Sequence, residues 1–146
     1  MGEKHNGPVT RDGIRIHSEA DFAGMRAAGR LAADILDRIG EHVFVGQSTA
    51  EIDRIVEDMV NAAGAKSATI GYKGYEHASC ISINHVVCHG IPSDKKLKDG
   101  DILNIDVTVI VDGWFGDTSR MFVAGKLGRK AERLIEITHE ALFKGI

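Results

Sequence analysis

Cysteine and proline are scarce in this chain, two of each among 146 residues, and no long apolar run occurs anywhere in it. Cys80 and Cys88 form neither a C-x-x-C pair nor the spacing of a zinc ribbon, so neither a disulfide framework nor a cysteine zinc knot organises the fold, and a cytosolic chain keeps both reduced. No stretch approaches the roughly 18 to 20 apolar residues a helix needs to span a bilayer, and the polar opening MGEKHNGPVTRDG lacks the apolar segment of a signal peptide. The expected location is therefore the cytoplasm, with no membrane partner. Gly2 follows Met1, but Asn6 stands where a myristoylation signal prefers Ser or Thr, which argues against a lipid anchor. A basic surplus is lacking too: 18 Lys and Arg stand against 21 Asp and Glu, for a net charge of −3. Without a Lys/Arg cluster there is no electrostatic footprint for nucleic acid. Repeats, low-complexity stretches and linkers are also missing. What remains is a 43% hydrophobic and 27% charged composition, that of one globular domain over residues 1–146, long enough to build a core.

Hydrophobic periodicity divides that domain. Residues 18–39 place Phe22, Met25, Ala28, Ala32, Ile35, Leu36 and Ile39 at steps of three and four behind a Ser18 cap, and stop at Gly40, which predicts an amphipathic helix. Residues 48–63 repeat the pattern with a Ser48/Glu51 capping box, a stripe of Ile52, Ile55, Val56, Met59 and Val60, and Gly64 as terminator. Between Ala68 and Val123 the period changes. The segments SATIGY, SCISINHVVCHGI and DILNIDVTVIVDGWFGDTSRMFV are rich in β-branched and aromatic residues and broken by turn signals, which predicts antiparallel strands. A third helix is expected from near Gly128 to the last residue, Ile146. Helices followed by antiparallel strands make the fold class α+β, with residues 1–17 as an N-terminal extension.

The stretch ILNIDVTVIVDGWFGDTSRMF sets two carboxylates, Asp106 and Asp117, in an apolar hairpin. An ionised carboxylate there is costly unless it is paired, hydrogen-bonded or bound to a metal. If Asp112-Gly113 is a two-residue turn, Val111 faces Trp114, Thr108 faces Asp117 and Asp106 faces Ser119. Alternation then puts Asp106, Thr108 and Ile110 on one face with Phe115, Asp117 and Ser119, and Val107, Val109 and Val111 on the other with Trp114 and Gly116. The carboxylates become diagonal neighbours, with Cα atoms about 7 to 8 Å apart. No Lys or Arg is at hand in the sequence, so a divalent ion such as Mn, Fe, Co or Zn is the simplest neutralising partner. The plainer alternative is two edge-strand aspartates in water, Asp117 capping a turn.

Three further groups carry double readings. His85 and His89, four apart, share one face if CISINHVVCHGIP is a strand; His85 after Asn84 reads as a solvated turn residue. His89 at the strand end is either functional or a hydrogen-bonded structural histidine. Tyr72 and Tyr75, set between glycines, either line a pocket or pack on the sheet. His139-Glu140 begins like the zincin H-E-x-x-H motif, but Phe143 occupies the position of the second histidine, so this is a solvated helix face.

The segment GYKGYEHASCISINHVVCHGIPSDKKLKDGDILNIDVTVIVDGWFGDTSRMF closely resembles bacterial type I methionine aminopeptidases, with CHGIP, LKDGDILNIDVT and GDTSRMF in the family's order and spacing. The resemblance runs from about Ile16 to Ile146. It implies the N-terminal half of a pita-bread fold, in which two pseudo-symmetric α+β halves enclose two divalent metal ions. It further implies that Asp106 chelates one metal, that Asp117 bridges both, that His89 contacts substrate near the scissile amide, and that Tyr72, Tyr75 and Cys80 help form the methionine pocket. The implied activity is removal of the initiator methionine from nascent proteins by a metal-activated water, the substrates being N-terminal methionyl peptides. A monomer is expected at full length, and association with the ribosome is admitted by the resemblance.

The family's remaining ligands, a His and two Glu, and a second substrate-contacting His lie in its C-terminal half, and Glu132, Glu136, His139 and Glu140 match none of them. The 146 residues alone are therefore expected to be inactive, as a shortened form or a piece of a methionine aminopeptidase. Two other readings stand beside this one. A non-catalytic pita-bread module that binds peptides or proteins has little reason to keep the carboxylate pair and His89. In a homodimer of halves, each copy would replace the other's missing lobe. An uncovered apolar face should in any case make the isolated half sticky.

Overall fold

The structure is a computed structural model that describes residues 7–146. The Met1-Gly2 start, Asn6 and the first six residues of the 1–17 extension lie outside the described residues. Helix α1 spans Glu19–Ile39 and α2 spans Thr49–Ala62. Strands β1 (Lys66–Ser67), β2 (Ser79–Ile83), β3 (Asp101–Val111) and β4 (Trp114–Ala124) follow, and α3 covers Arg129–Gly145.

Both core helices begin on capping boxes. Ser18 and Asp21 cap α1, and Ser48 and Glu51 cap α2, each hydroxyl accepting from the N3 amide while the N3 carboxylate accepts from the cap amide. The expected bounds of α1 hold, with one difference at each end. Phe22 and Met25 are exposed, and it is Gly24, between them, that meets the sheet, its missing side chain leaving room for the Trp114 ring. Gly40 does not terminate the helix in a left-handed conformation; its φ is −55° and a single 3-10 turn continues to His42. Its missing side chain instead leaves room for the Phe122 ring.

β3 is the centre of the sheet. β4 pairs along one edge over the full length of the hairpin, and β1 and β2 follow one another along the other edge, all antiparallel. Asp112 and Gly113 both have positive φ (49° and 86°), the two-residue geometry whose twist matches the strands. The register is the one the dipeptide predicts: Val111 opposite Trp114, Thr108 opposite Asp117, Asp106 opposite Ser119. Leu103, Ile105, Val107 and Val109 point to the covered face and pack with Ile35, Leu36 and Ile39 of α1 and Ile52, Val56 and Val60 of α2. α1 lies against β4 so closely that a methyl at Gly116 would strike the Ala28 carbonyl. The helices thus occupy one face only. On the other face of the hairpin Phe115, Asp117 and Ser119 are exposed, and α3 buries no residue, leaving Leu134, Ile137, Leu142 and Phe143 exposed.

Two expected strands are corrected. SATIGY contributes only Ser67 to a strand, and SCISINHVVCHGI only Ser79–Ile83. β propensity needs a partner edge. The edge of β3 beyond Ser67 is taken by β2, and Gly71, Lys73 and Gly74, all at positive φ, carry the chain out into a loop. Asn84, at φ 53°, turns the chain out of β2, and its side chain accepts from the Ile102 amide at 3.1 Å and donates to Asp101 Oδ1 at 2.8 Å. His85 and His89 therefore do not share a strand face.

Candidate active site

The open face of the hairpin carries the carboxylates. Thr108 Oγ1 donates to Asp117 Oδ1 at 2.9 Å and Asn104 Nδ2 donates to Ser119 Oγ at 3.2 Å, forming a polar band across β3 and β4. Asp117 is exposed and Asp106 half-buried. Burial pushes the Asp106 carboxyl above its ordinary value, the charge of Asp117 pushes it the same way, and His89 pulls it back. These three groups, far apart in sequence, share one electrostatic neighbourhood.

Beside them opens a cleft of about 440 Å³ lined by Thr69, Tyr72, Lys73, Gly74, Tyr75, Cys80, His89 and Ile91. Cys80 joins the two features, since it sits on β2 directly opposite Asp106. Its thiol is pushed up chiefly by burial and further by the charges of Asp106, Asp53 and Cys88, against a hydrogen bond with Tyr75 that lowers it. The Tyr75 hydroxyl donates to the Ser79 carbonyl at 2.8 Å. Burial and the neighbouring Cys80 push that phenol well above its ordinary value. Tyr72 stands at the exposed rim with the Lys73 ammonium 5.5 Å from its ring centroid.

His89 reaches the cleft through strained backbone. Its φ is +53°, a left-handed conformation that non-glycine residues adopt at a cost of about 1 to 3 kcal/mol. The neighbouring Gly90 is held at both backbone groups: its carbonyl accepts from the Ile81 amide at 2.8 Å, and its amide donates to Ser82 Oγ at 3.0 Å. The loop is thereby fastened to the edge of β2, and His89 is aimed by that fastening.

The structure thus brings Tyr72, Tyr75, Cys80 and His89 around one cleft and sets Asp106 and Asp117 against its inner end. Thr69, Lys73 and Ile91 line the same cleft without having been singled out; nothing in their sequence pattern marks them, because loop geometry places them. Asp53 did carry a signal, a carboxylate between the core positions Ile52 and Val56 of α2.

Two carboxylates beside an otherwise uncompensated charge suit a hard divalent cation in kind. In number they fall short, since among the described residues no group of three or more His, Cys, Asp or Glu side chains is placed to hold one.

A helix-covered antiparallel sheet with an acidic pair on its open face is the half-unit of the pita-bread fold, and the comparisons with known proteins agree. The model of metallopeptidase family M24 matches residues 23–146. The chain belongs to that family, which implies a requirement for divalent metal. Its similarity within the family is to methionine aminopeptidases. It is 53% identical to that of Rickettsia prowazekii over 133 residues, covering 91% of this chain and 51% of the relative. It is 57% identical to that of Escherichia coli K12 over 132 residues, covering 89% and 50%. The crystal structure of the Rickettsia prowazekii enzyme superimposes with a TM-score of 0.89 at 52% identity, over 90% of this chain and 53% of that one. The chain spans about half the length of the curated relatives it matches.

Proposed function

We propose that this chain forms one side of the active site of a methionine aminopeptidase, acting in the cytoplasm on the N-terminal methionine of nascent chains. Residues 1–146 form a single half-unit, with 1–17 as its extension. The observation that carries this reading is the meeting of the Asp106/Asp117 pair with the cleft of Tyr72, Tyr75, Cys80 and His89 on the face the helices leave open.

Asp106 and Asp117 are the residues that would hold metal, a pair of ions drawn from Co, Mn, Fe or Zn. When bound, such ions polarise a peptide carbonyl and lower the pKa of water toward neutrality. The protein's own groups then have distinct tasks. The cleft takes the unbranched methionine side chain between aromatic and thiol walls, which excludes water from it and places the scissile amide at the carboxylates. Thr108 orients Asp117 by donating to one oxygen and leaving the other open. His89, at the junction of cleft and carboxylates, donates to or accepts from the substrate backbone near the scissile bond.

Because the two carboxylates are an incomplete shell, the 146 residues bind metal weakly and do not turn over alone; the other ligands come from a complementary half. The test compares the 146-residue chain with the product of the source gene read past codon 146, on a Met-Ala-Ser peptide with Mn or Co added and removed. Metal-dependent methionine release by the longer product, lost on Asp117→Asn, is the expected result. Turnover by the 146-residue chain itself would overturn the claim of incompleteness, and a longer product that is inert with every metal would overturn the enzyme reading.

A further inference from the structure

Asp53 is a carboxylate in the core. It lies on the inner side of α2 with 4% of its surface exposed, next to Ile52 and one turn from Val56, both fully buried. A charge at such a place is destabilising unless every lone pair is used. Here the partners come from one short segment. Oδ1 accepts from the Ser79 amide at 2.8 Å and from the Ser79 hydroxyl at 2.7 Å. Oδ2 lies 3.0 Å from His77 Nδ1. Since a carboxylate can only accept, that contact requires the His77 proton on Nδ1. Among the described residues His77 is its only ion-pairing partner.

Both ends of this cluster lead to Tyr75. The Ser79 carbonyl accepts the Tyr75 hydroxyl at 2.8 Å, and the His77 ring meets the Tyr75 ring edge-on, with centroids 5.5 Å apart and planes at 69°. The His77 carbonyl also accepts from Thr69 Oγ1 at 2.6 Å, so a third wall of the cleft is tied to the same residue. Ser79 is followed by Cys80, which faces the cleft. One buried carboxylate on a helix outside the cleft thus anchors the segment that supplies Thr69, Tyr75 and Cys80 to it. A purely structural staple could sit anywhere along the 68–78 loop. This one holds the two residues, His77 and Ser79, that touch Tyr75 from ring and hydroxyl.

We propose that Asp53 and His77 are positioning residues that set the orientation of Tyr75, and with it the fit of the cleft to the side chain it receives. The geometry stands by itself; the consequence for substrate rests on reading the cleft as the methionine subsite. Neither residue touches substrate, so they act on binding and leave the chemical step alone.

The test uses the product of the source gene read past codon 146, with Asp53→Ala, His77→Ala and His77→Asn. Asparagine offers an amide N–H where His77 has Nδ1–H, so it keeps the hydrogen bond to Asp53. On Met-Ala-Ser, Asp53→Ala and His77→Ala should raise KM about fivefold or more with kcat within about twofold, as expected for losing at least one hydrogen bond's worth of orientation. His77→Asn, which keeps the hydrogen bond to Asp53 and loses the ring contact with Tyr75, should fall between the parent and His77→Ala in KM. In parallel, the 146-residue chain, which has two tyrosines, is labelled with 3-fluorotyrosine and its two ¹⁹F resonances are compared. The Tyr75 resonance should move toward the exposed Tyr72 resonance in His77→Ala and Asp53→Ala, with Tyr72 unmoved. An unchanged KM in both of these variants, or a fall in kcat matching a lowered Tm, overturns the proposal. If the parent releases no methionine, the enzyme reading fails and the fluorine spectra decide the positioning role alone: a stationary Tyr75 resonance overturns it.

Discussion

Gly90 provides a direct test of how His89 is aimed. Its φ lies outside the left-handed region, so alanine suits its backbone and only space forbids a side chain. An added Cβ would lie 2.2 Å from the Ile81 carbonyl oxygen, 2.7 Å from the Ile81 carbonyl carbon and 2.8 Å from Ser82 Cα. All three atoms are backbone of β2, and β2 cannot retreat because its other edge is paired with β3 from Ser79 to Ile83. In Gly90→Ala the 84–92 loop must therefore back away by roughly 1 Å to restore ordinary contact distances. That displacement stretches both bonds at Gly90, now 2.8 Å to the Ile81 amide and 3.0 Å to Ser82 Oγ, beyond hydrogen-bonding range. Each contributes about 1 kcal/mol, and the Ser82 hydroxyl, 4% exposed, loses its partner as well, so the total is about 2 to 4 kcal/mol. Urea unfolding followed by far-UV circular dichroism should show the midpoint lowered by about 1 to 2 M with an unchanged m-value. Because His89 moves with the loop, KM for the peptide should rise in the longer product. A midpoint within about 0.3 M of the parent would refute the reasoning, since it would mean that the loop accepts a methyl without leaving the strand.

Two other outcomes follow from the charges. With metal removed by chelation at pH 7, Asp106→Asn should raise the unfolding free energy by a few tenths to about 1 kcal/mol, since it removes a half-buried charge diagonal to that of Asp117 across the strand pair. Added Mn should raise the Tm of the parent and not that of the variant, and a parent more stable than the variant under chelation would contradict this. Glu51 is held at about 2, well below the ordinary 4.5, first by the Ser48 hydroxyl, then by the Ser48 amide and by Lys96. A depressed carboxylate stabilises the fold above its ordinary value and loses that contribution as pH falls through the folded one. The gap in urea midpoint between the parent and Glu51→Gln should therefore close between pH 4.5 and about 2; a gap unchanged at pH 2 would show that the capping carboxylate is not the source.

The hairpin was legible in the sequence because both of its determinants are local. Asp112-Gly113 selects a turn in which both residues take positive φ, and a period of exactly two residues then assigns every side chain from Asp101 to Ala124 to a face. The Ser18 cap and the Ser48/Glu51 capping box were legible for the same reason, each closing over three residues, while the reciprocal bond from Asp21 to Ser18 came only with the structure. What failed was decided at longer range. The valines at 86 and 87 have every propensity for a strand, yet Val87 is 93% exposed, since Asn84 bonds to Asp101 and Ile102 across 17 and 18 residues of sequence and turns the chain away.

The cleft illustrates the same division more sharply. Tyr72, Tyr75, Cys80 and His89 could be nominated one at a time, but residue types alone did not say whether they converge. Their convergence depends on two fastenings that join distant segments: Asp53 of α2 to Ser79 and His77, and Gly90 to Ile81 and Ser82. Neither has a periodic signature. Each does leave a mark that composition makes visible, a carboxylate inside an apolar stripe and a glycine between a histidine and an isoleucine. A core position occupied by a charge, or a strand-edge position that admits no side chain, is where local preference has been given up. In this chain both such positions hold the walls of one cleft, so the residues least favourable to the fold locally are those that shape the site.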